Sequence, residues 1–362
     1  MPDPAPHPAE VNMADVAERA GVSIATVSRA LRDVPGVSEP TRERIRAIAH
    51  ELAYVVSPEA SQLSRRQTGR VAVVVPKIDI WYYSAMLASI EQVLREADLD
   101  VLVYQVDGER QRSRFFRQLP ARRKVDGVAL IALPLLAEEE QRLDLLGVHV
   151  VVAGGRLRDY PHVRTDDRSA ALQAVGHLLS LGHRDIAMIR TSDTAGAARS
   201  ADVDRTDGYR QSLVQAGIEP RDDYLVTRPL GVLAGADGID ALLALDRPPT
   251  AVFAYSDELA ISALHRLRER GLRVPDDMSI VSVDGHPMAE LFGLSTVGQS
   301  VHAQGRLSGE MILAKVRGHV LDETAVVVPP RLVVRRTTAP PSGGPARSRP
   351  RRTRPVKRPA AP

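Results

Sequence analysis

The amino-acid sequence predicts an α/β chain: a small helical headpiece, then a long body of parallel sheets covered by helices. Three observations carry this. Residues 14–33, ADVAERAGVSIATVSRALRD, hold two short amphipathic segments separated by a glycine. From Gly69 onward, short apolar runs alternate with stretches of helical periodicity, and strands that are apolar throughout belong to parallel sheets covered on both faces. At 362 residues and 44% hydrophobic content, the chain can bury more than one core.

In chain order, residues 1–11 contain four prolines and are expected to form a disordered leader. Asn12 stands where a helix N-cap belongs, with Asp15 at the third helical position and Val16, Ala17 and Ala20 as the apolar face. Gly21 falls where a helix stops in a left-handed residue. Ser23 caps a second helix, Ile24 to Leu31, whose Val27, Ala30 and Leu31 close against the first. Two such helices joined by a short turn containing glycine form a helix-turn-helix, although similar pairs recur in helical proteins of every kind. The outer face of the second helix presents Ile24, Ala25, Ser28 and Arg29, the face from which a DNA major groove is read. Ser38 and Pro40 open a third helix in which Ile45, Ile48, Ala49 and Leu52 complete a core. Arg42, Arg44 and Arg46 around it read as solvated or phosphate-contacting. Ser57 and Pro58 signal one more, very short helix, well below the ~12–15 residues that an isolated helix needs.

In the body, buried strands are expected at Val71–Val75, Val101–Tyr104, Val125–Leu133, Val148–Ala153, Ile186–Ile189, Ala251–Ala254 and Ile280–Val283. Helices are expected at Ser84–Ala97, Ala170–Leu181, Gly208–Ala216 and Asp257–Arg270. Ligands of such sheets sit beyond the carboxyl ends of the strands. The absence of cysteine excludes disulfides and thiolate metal sites. No signal-like leader and no apolar run of membrane-spanning length occur, so a cytoplasmic protein without a membrane partner is expected. The formal charge is +3, but the last 22 residues hold seven basic and no acidic residues, leaving 41 basic against 45 acidic before them. His177 and His183 read as structural, and Asp202, Asp204 and Asp207 lack the glycine and glutamate of a calcium loop. No phosphate-cradling loop, nucleophile elbow or metalloprotease motif occurs, so neither a cofactor nor an enzymatic activity is expected.

The segments DVAERAGVSIATVSRAL and GVSEPTRERI resemble the DNA-binding headpiece of the LacI/GalR (lactose-repressor) family of bacterial transcription regulators. The resemblance runs over residues 12–338 through VDG at Val125–Gly127, LGHRDIA at Leu181–Ala187, PPTAVFA at Pro248–Ala254 and the final-strand segment PPRLVVRRTTAPP. It implies a three-helix headpiece, a hinge helix, and a two-lobed effector domain of periplasmic-binding-protein type with parallel sheets. Three crossovers would fall near Thr165, Gln299 and Val328. The implied domains are 12–56 for the helix-turn-helix, 57–68 for hinge helix and linker, 69–338 for effector binding and dimerisation, and 339–362 for a disordered basic tail.

By the same resemblance, Ile24 and Ala25 occupy the positions that discriminate operators, where they offer apolar contact; by its chemistry Arg29 is the candidate to pair with guanine, and Ser23, Thr26 and Ser28 are short enough to reach phosphates. Ala60 and Leu63 match the hinge residues that pack at the dimer axis and wedge into the minor groove. DRTDGY at Asp204–Tyr209 makes Arg205 an effector-binding arginine, and VSVDG at Val281–Gly285 makes Asp284 its partner. Ser256, Asp257, Tyr82 and Tyr83 complete the implied effector site. Leu230, Gly155 and Gly285 depart from the family pattern, as does Arg32 in the headpiece. The resulting expectation is a homodimeric repressor whose hold on double-stranded operator DNA is controlled by a small-molecule effector, a sugar or related metabolite. An activator of the same family is the alternative, and a solute-binding protein is opposed by the helix-turn-helix.

Overall fold

The Asn12 side chain accepts hydrogen bonds from the amides of Ala14 (2.8 Å) and Asp15 (3.4 Å), while Asp15 accepts the Asn12 amide at 2.7 Å. This reciprocal box starts α1 (Met13–Ala20), and Gly21, at φ 64°, ends it with its amide on the carbonyls of Ala17 and Glu18. In this computed structural model the described residues are 11–54, 67–133, 135–192, 200–229, 231 and 233–342. The chain divides into two units, Met1–Gly69 and Arg70–Pro362. In the first, α1, α2 (Ile24–Leu31) and α3 (Glu39–Glu51) enclose Val16, Ala17, Ala20, Val27, Ala30, Ile45 and Ala49. Ser38 holds the N-cap position of α3, but its hydroxyl bonds Thr41 Oγ1 at 2.8 Å rather than a backbone amide.

The second unit contains two six-stranded sheets. Its elements are β1 (Arg70–Val75), α4 (Trp81–Glu96), β2 (Asp100–Gln105), α5 (Gly108–Gln118), β3 (Gly127–Ile131), α6 (Ala137–Asp144), β4 (His149–Ala153), β5 (His162–Thr165), α7 (Asp167–Ser180), β6 (Ile186–Ser192), α8 (Ser200–Gln215), β7 (Leu225–Pro229), α9 (Ala234–Leu243), β8 (Ala251–Ala254), α10 (Asp257–Glu269), β9 (Ser279–Asp284), α11 (Met288–Phe292), β10 (Ser295–Gly298), α12 (Val301–Val316), β11 (Ala325–Val328) and β12 (Arg331–Val333). The strand orders are β11-β5-β4-β3-β1-β2 and β12-β10-β9-β8-β6-β7. All pairs are parallel except β10 with β12, so the parallel expectation holds up to one edge of the second sheet.

Alternate residues of a strand feed opposite faces. Val71, Val73 and Val75 of β1 pack with α4 and α12, while Ala72 and Val74 pack with Phe115 and Phe116 of α5. The same division separates Ala251 and Phe253 of β8 from Val252 and Ala254. The chain passes between lobes after Thr165, through Gln299 and Ser300, and through Pro329 and Pro330, at the three expected places. The Thr165 hydroxyl donates to the Val328 carbonyl at 3.1 Å, tying two crossovers together.

Several elements depart from expectation. Helix α4 begins at Trp81 rather than Ser84, and α8 at Ser200 rather than Gly208. Strands β5, β7 and β10 escape a search for continuous apolar runs because they are short and partly polar, and β11, though wholly apolar, is only four residues long and partly exposed. Ala339–Ser342, expected to begin the loose tail, is docked on the second lobe. The Ala339 amide and carbonyl bond the Ser279 hydroxyl (3.1 Å each), and Ser342 Oγ donates to the Asp276 carbonyl at 2.6 Å. His183, as expected, has a structural role: its ring nitrogens meet Thr250 Oγ1 at 2.9 Å and the Ala339 carbonyl at 2.8 Å. Among the described residues no helix is long and apolar enough to cross a membrane.

Candidate functional site

Two places gather the residues singled out above: the outer face of α2 and a cavity between the lobes.

On α2, the Ser23 hydroxyl accepts the Thr26 amide at 3.2 Å and shares a 2.9 Å hydrogen bond with Thr26 Oγ1, fixing the helix start. Ile24 is 51% exposed, which for a large apolar side chain leaves most of its burial to a partner. Ala25 and Arg29 are exposed beside it. The Arg29 side chain forms no ion pair or hydrogen bond with another described residue. The other arginines of this unit behave differently. Arg42 is buried, donating to Asp33 at 2.9 Å and to the carbonyls of Val34 and Val37 at 3.4 Å each. Arg44 donates to the Ala20 carbonyl at 3.0 Å, and Arg46 pairs with Asp33. All three therefore help fasten α3 to the turns around it; Arg44 and Arg46 remain exposed, as expected of a solvated face, and only buried Arg42 departs from that reading. Arg32 folds back onto Ser28, donating to its carbonyl at 3.1 Å and to its hydroxyl, so Ser28 is engaged within the helix. Ala60 and Leu63 lie outside the described residues.

The cavity, of about 250 Å³, opens at the carboxyl ends of both sheets. From the first lobe it is lined by Ile80, Tyr82 and Tyr83, by Ala132, Leu133 and Leu135 beyond β3, and by Gly154–Leu157 beyond β4. The second lobe supplies Asp167, Arg205, Tyr255, Ser256, Glu258 and Asp284, and Gln299 joins from a crossover. The first-lobe wall is mostly apolar, with Glu140 and Arg156 as its charged members, and the second-lobe wall is mostly polar or charged.

Arg205 is only 3% exposed. Its Nε donates to Asp167 Oδ1 at 2.8 Å, its Nη1 to the Tyr255 carbonyl at 2.5 Å, and its guanidinium lies 4.4 Å from the centre of the Tyr255 ring. Burial alone would lower its pKa, but the charge of Asp167, with Tyr255 and Asp284, outweighs that and holds it raised. Burial raises the Asp167 carboxyl while Arg205 opposes the shift. Asp284 accepts the Gln299 amide at 2.6 Å and the Asp257 backbone amide at 3.4 Å. Its backbone sits at φ 139°, a region that L-residues rarely occupy and that costs on the order of 1–3 kcal/mol. Burial, then the neighbouring Asp257 charge, pushes its pKa well above the usual carboxylate range.

Asp257, expected in the effector site, lies behind the cavity wall. It is fully buried and absent from the lining; its carboxylate accepts the hydroxyls of Ser282 and Thr296 and the His286 amide, each at 2.6 Å. Burial pushes its pKa up to about 6, with those hydrogen bonds opposing. Its role is to hold the support beneath Asp284. Ser256 lines the cavity and caps α10, accepting the Leu259 amide at 3.3 Å. Tyr82 reaches the Gly154 carbonyl at 3.5 Å and meets the Tyr83 ring edge-on at 5.4 Å. A Cβ on Gly154 would lie 2.0 Å from the Tyr82 hydroxyl, so only glycine admits this contact. Burial raises the Tyr82 pKa. Leu230 lies outside the described residues.

Sequence reasoning missed Asp167, Tyr255, Glu258 and Gln299. Asp167 left a trace: Asp166 already caps α7, accepting the Ser169 amide at 2.9 Å, so the second aspartate of the pair has no capping duty. Glu258 accepts the Trp81 amide from the opposite lobe at 3.1 Å, and the Trp81 and His286 rings meet across the cleft with centroids 4.6 Å apart.

Comparison with known proteins adds to this geometry. Residues 12–57 match the family model "Bacterial regulatory proteins, lacI family", and residues 175–338 match "Periplasmic binding protein-like domain". The HTH-type transcriptional regulator DegA of Bacillus subtilis is 30% identical over 334 residues, covering 90% of this chain and 97% of that protein. The HTH-type transcriptional repressor CytR of Escherichia coli is 30% identical over 330 residues, covering 90% and 96%. Among solved structures, a lac repressor dimer bound to operator and the anti-inducer ONPF matches with TM-score 0.79 at 25% identity, over 91% of this chain and 99% of that one. A complex of the transcriptional regulator CelR with cellobiose matches with TM-score 0.68 at 28% identity, over 90% and 99%.

Proposed function

The chain belongs to the LacI family of bacterial regulatory proteins, and from that premise we propose that it is a dimeric transcriptional repressor whose operator binding is set by a small molecule between the lobes. The observation that carries the DNA reading is the reserve kept on α2: Ile24, Ala25 and Arg29 stay uncommitted in a headpiece whose remaining arginines are largely spent on the fold. An apolar pair suits thymine methyl groups, and a free guanidinium suits the O6 and N7 of guanine.

The effector reading rests on the cavity. Arg205 and Asp284 face it, and the strain at Asp284 is sustained by Gln299 and Asp257. Closing the cleft on a sugar or related metabolite shifts the lobes, and the segment 57–68 transmits the shift, with Leu63 wedging into the minor groove and Ala60 at the dimer axis. A coupling of roughly 1–3 kcal/mol is typical of such linkage. The protein acts in the cytoplasm as a binding protein, without catalysis.

Selection of duplexes from random DNA with the full-length protein tests the first half, and release of the selected duplex by small molecules tests the second. Recovery of pseudo-palindromic sites with a thymine and a guanine in each half-site is expected; recovery of no consensus would overturn the assignment. On the selected site, Leu63→Ala should reduce DNA bending, because unstacking a base step needs the inserted side chain. An unchanged bend would make residues 57–68 a plain linker.

A further inference from the structure

Helix α4 starts without a cap of its own. Ile80 at its N-cap offers no side-chain acceptor, and the Trp81 amide donates instead to Glu258 Oε1 at 3.1 Å. Glu258 belongs to the other lobe, in the first turn of α10, and lines the cavity. Helix α10 does not need it as a cap, since Ser256 already accepts the Leu259 amide. Two helix N-termini, each carrying partial positive charge, therefore converge on one carboxylate from opposite sides of the cleft. The Trp81 ring also bears on His286 of the second lobe, so backbone and side chain of one residue both cross the gap.

We propose that Glu258 is a positioning residue that caps α4 across the cleft and so holds the lobes at the spacing that forms the cavity. A molecule in the cavity that donates a hydrogen bond to this carboxylate then alters the lobe spacing directly. That consequence rests on the effector reading above; the cap itself does not. Without the carboxylate, two helix ends of like sign face each other and the Trp81 amide loses its acceptor, and both effects favour opening.

The cap is testable on the full-length protein with no ligand present, so failure of the effector reading leaves the result interpretable. The measurement is site-resolved hydrogen exchange in α4, with Trp81 emission as a second readout, since it is the single tryptophan of the chain. Glu258→Ala should speed exchange at Trp81 by about fivefold or more, the worth of a typical cap, and shift the emission to the red. Exchange around Val93 should not change. Glu258→Gln keeps an acceptor oxygen and should restore most of the protection. Wild-type exchange at Glu258→Ala, loss as large in Glu258→Gln, or a change spread evenly along α4 would each overturn the cap. Should Glu258→Ala fail to fold, the wild type decides alone: a Trp81 amide exchanging at the open-chain rate is incompatible with the proposal, and a protected one supports it.

Discussion

Arg29 and Arg205 are the same side chain used in opposite ways. Arg29 stands exposed on α2 with no partner among the described residues, whereas Arg205 is 3% exposed and already holds Asp167, the Tyr255 carbonyl and the Tyr255 ring. A surface that reads DNA gains from groups with no competing bonds, because the duplex brings its own acceptors and a fixed geometry. A cavity that accepts a small molecule gains from groups locked beforehand, since little of the binding energy is then lost to ordering them. The same division separates exposed Ile24 from buried Asp284, one awaiting contact and the other held in strain.

Arg205→Ala should have the largest effect, because it leaves the Asp167 carboxylate buried without its cation. A loss of about 3–5 kcal/mol is the usual outcome of breaking a buried pair, seen here as a lowered urea midpoint together with loss of any effector response. A stability loss below about 1 kcal/mol would show that water relieves the site and that the pair is not locked. Arg29→Ala should leave stability untouched, which sharpens the contrast.

Next comes acidity. The Asp257 carboxyl is pushed from 3.8 up to about 6, so the folded state holds its proton more tightly than the unfolded chain. Its contribution to stability is complete below about pH 4 and is lost as the pH rises through about 6, at most about 3 kcal/mol. Urea midpoints measured from pH 4 to 7 should show this fall in the wild type and a weaker one in Asp257→Asn. Parallel pH profiles for the two proteins would assign the fall to other carboxyls.

The smallest effect expected is on DNA. Arg29→Ala should cost on the order of 1–3 kcal/mol on the preferred site and relax discrimination at one guanine position. An equal loss on random DNA would make Arg29 a phosphate contact, and the reserve on α2 would then be one of charge alone.

The headpiece was legible in the sequence because its rules are local: Asn12, Gly21 and Ser23 act on neighbours within a few residues, and the apolar period points the rest inward. The body was legible where strands are long and apolar, as at Val71–Val75, and opaque where they are short, as at β10, whose Ser295 and Thr296 are fully buried polar residues. Burial of Thr296 makes sense only with Asp257 beside it at 2.6 Å, a contact across 39 positions that no local pattern announces. In the cavity, motif resemblance pointed to Arg205 and Asp284. It also named Asp257, which serves from beneath, and it passed over Glu258, whose meaning depends on a helix end in the other lobe. Among the arginines of α3, Arg42 was misjudged for a related reason. Exposure on a helical wheel says nothing of the carbonyls that a neighbouring turn presents.

The three crossovers have a mechanical consequence. They span Asp166 alone, Gln299 with Ser300, and Pro329 with Pro330, and the first and third are pinned by the Thr165–Val328 hydrogen bond. Proline fixes φ, so the third connection is stiff as well as short. Three such short connections side by side oppose sliding and twisting of the lobes more than they oppose bending about the connections. Molecules of different shape that stop the bend at the same angle are then expected to give the same output, a poorer fit changing how far the lobes turn.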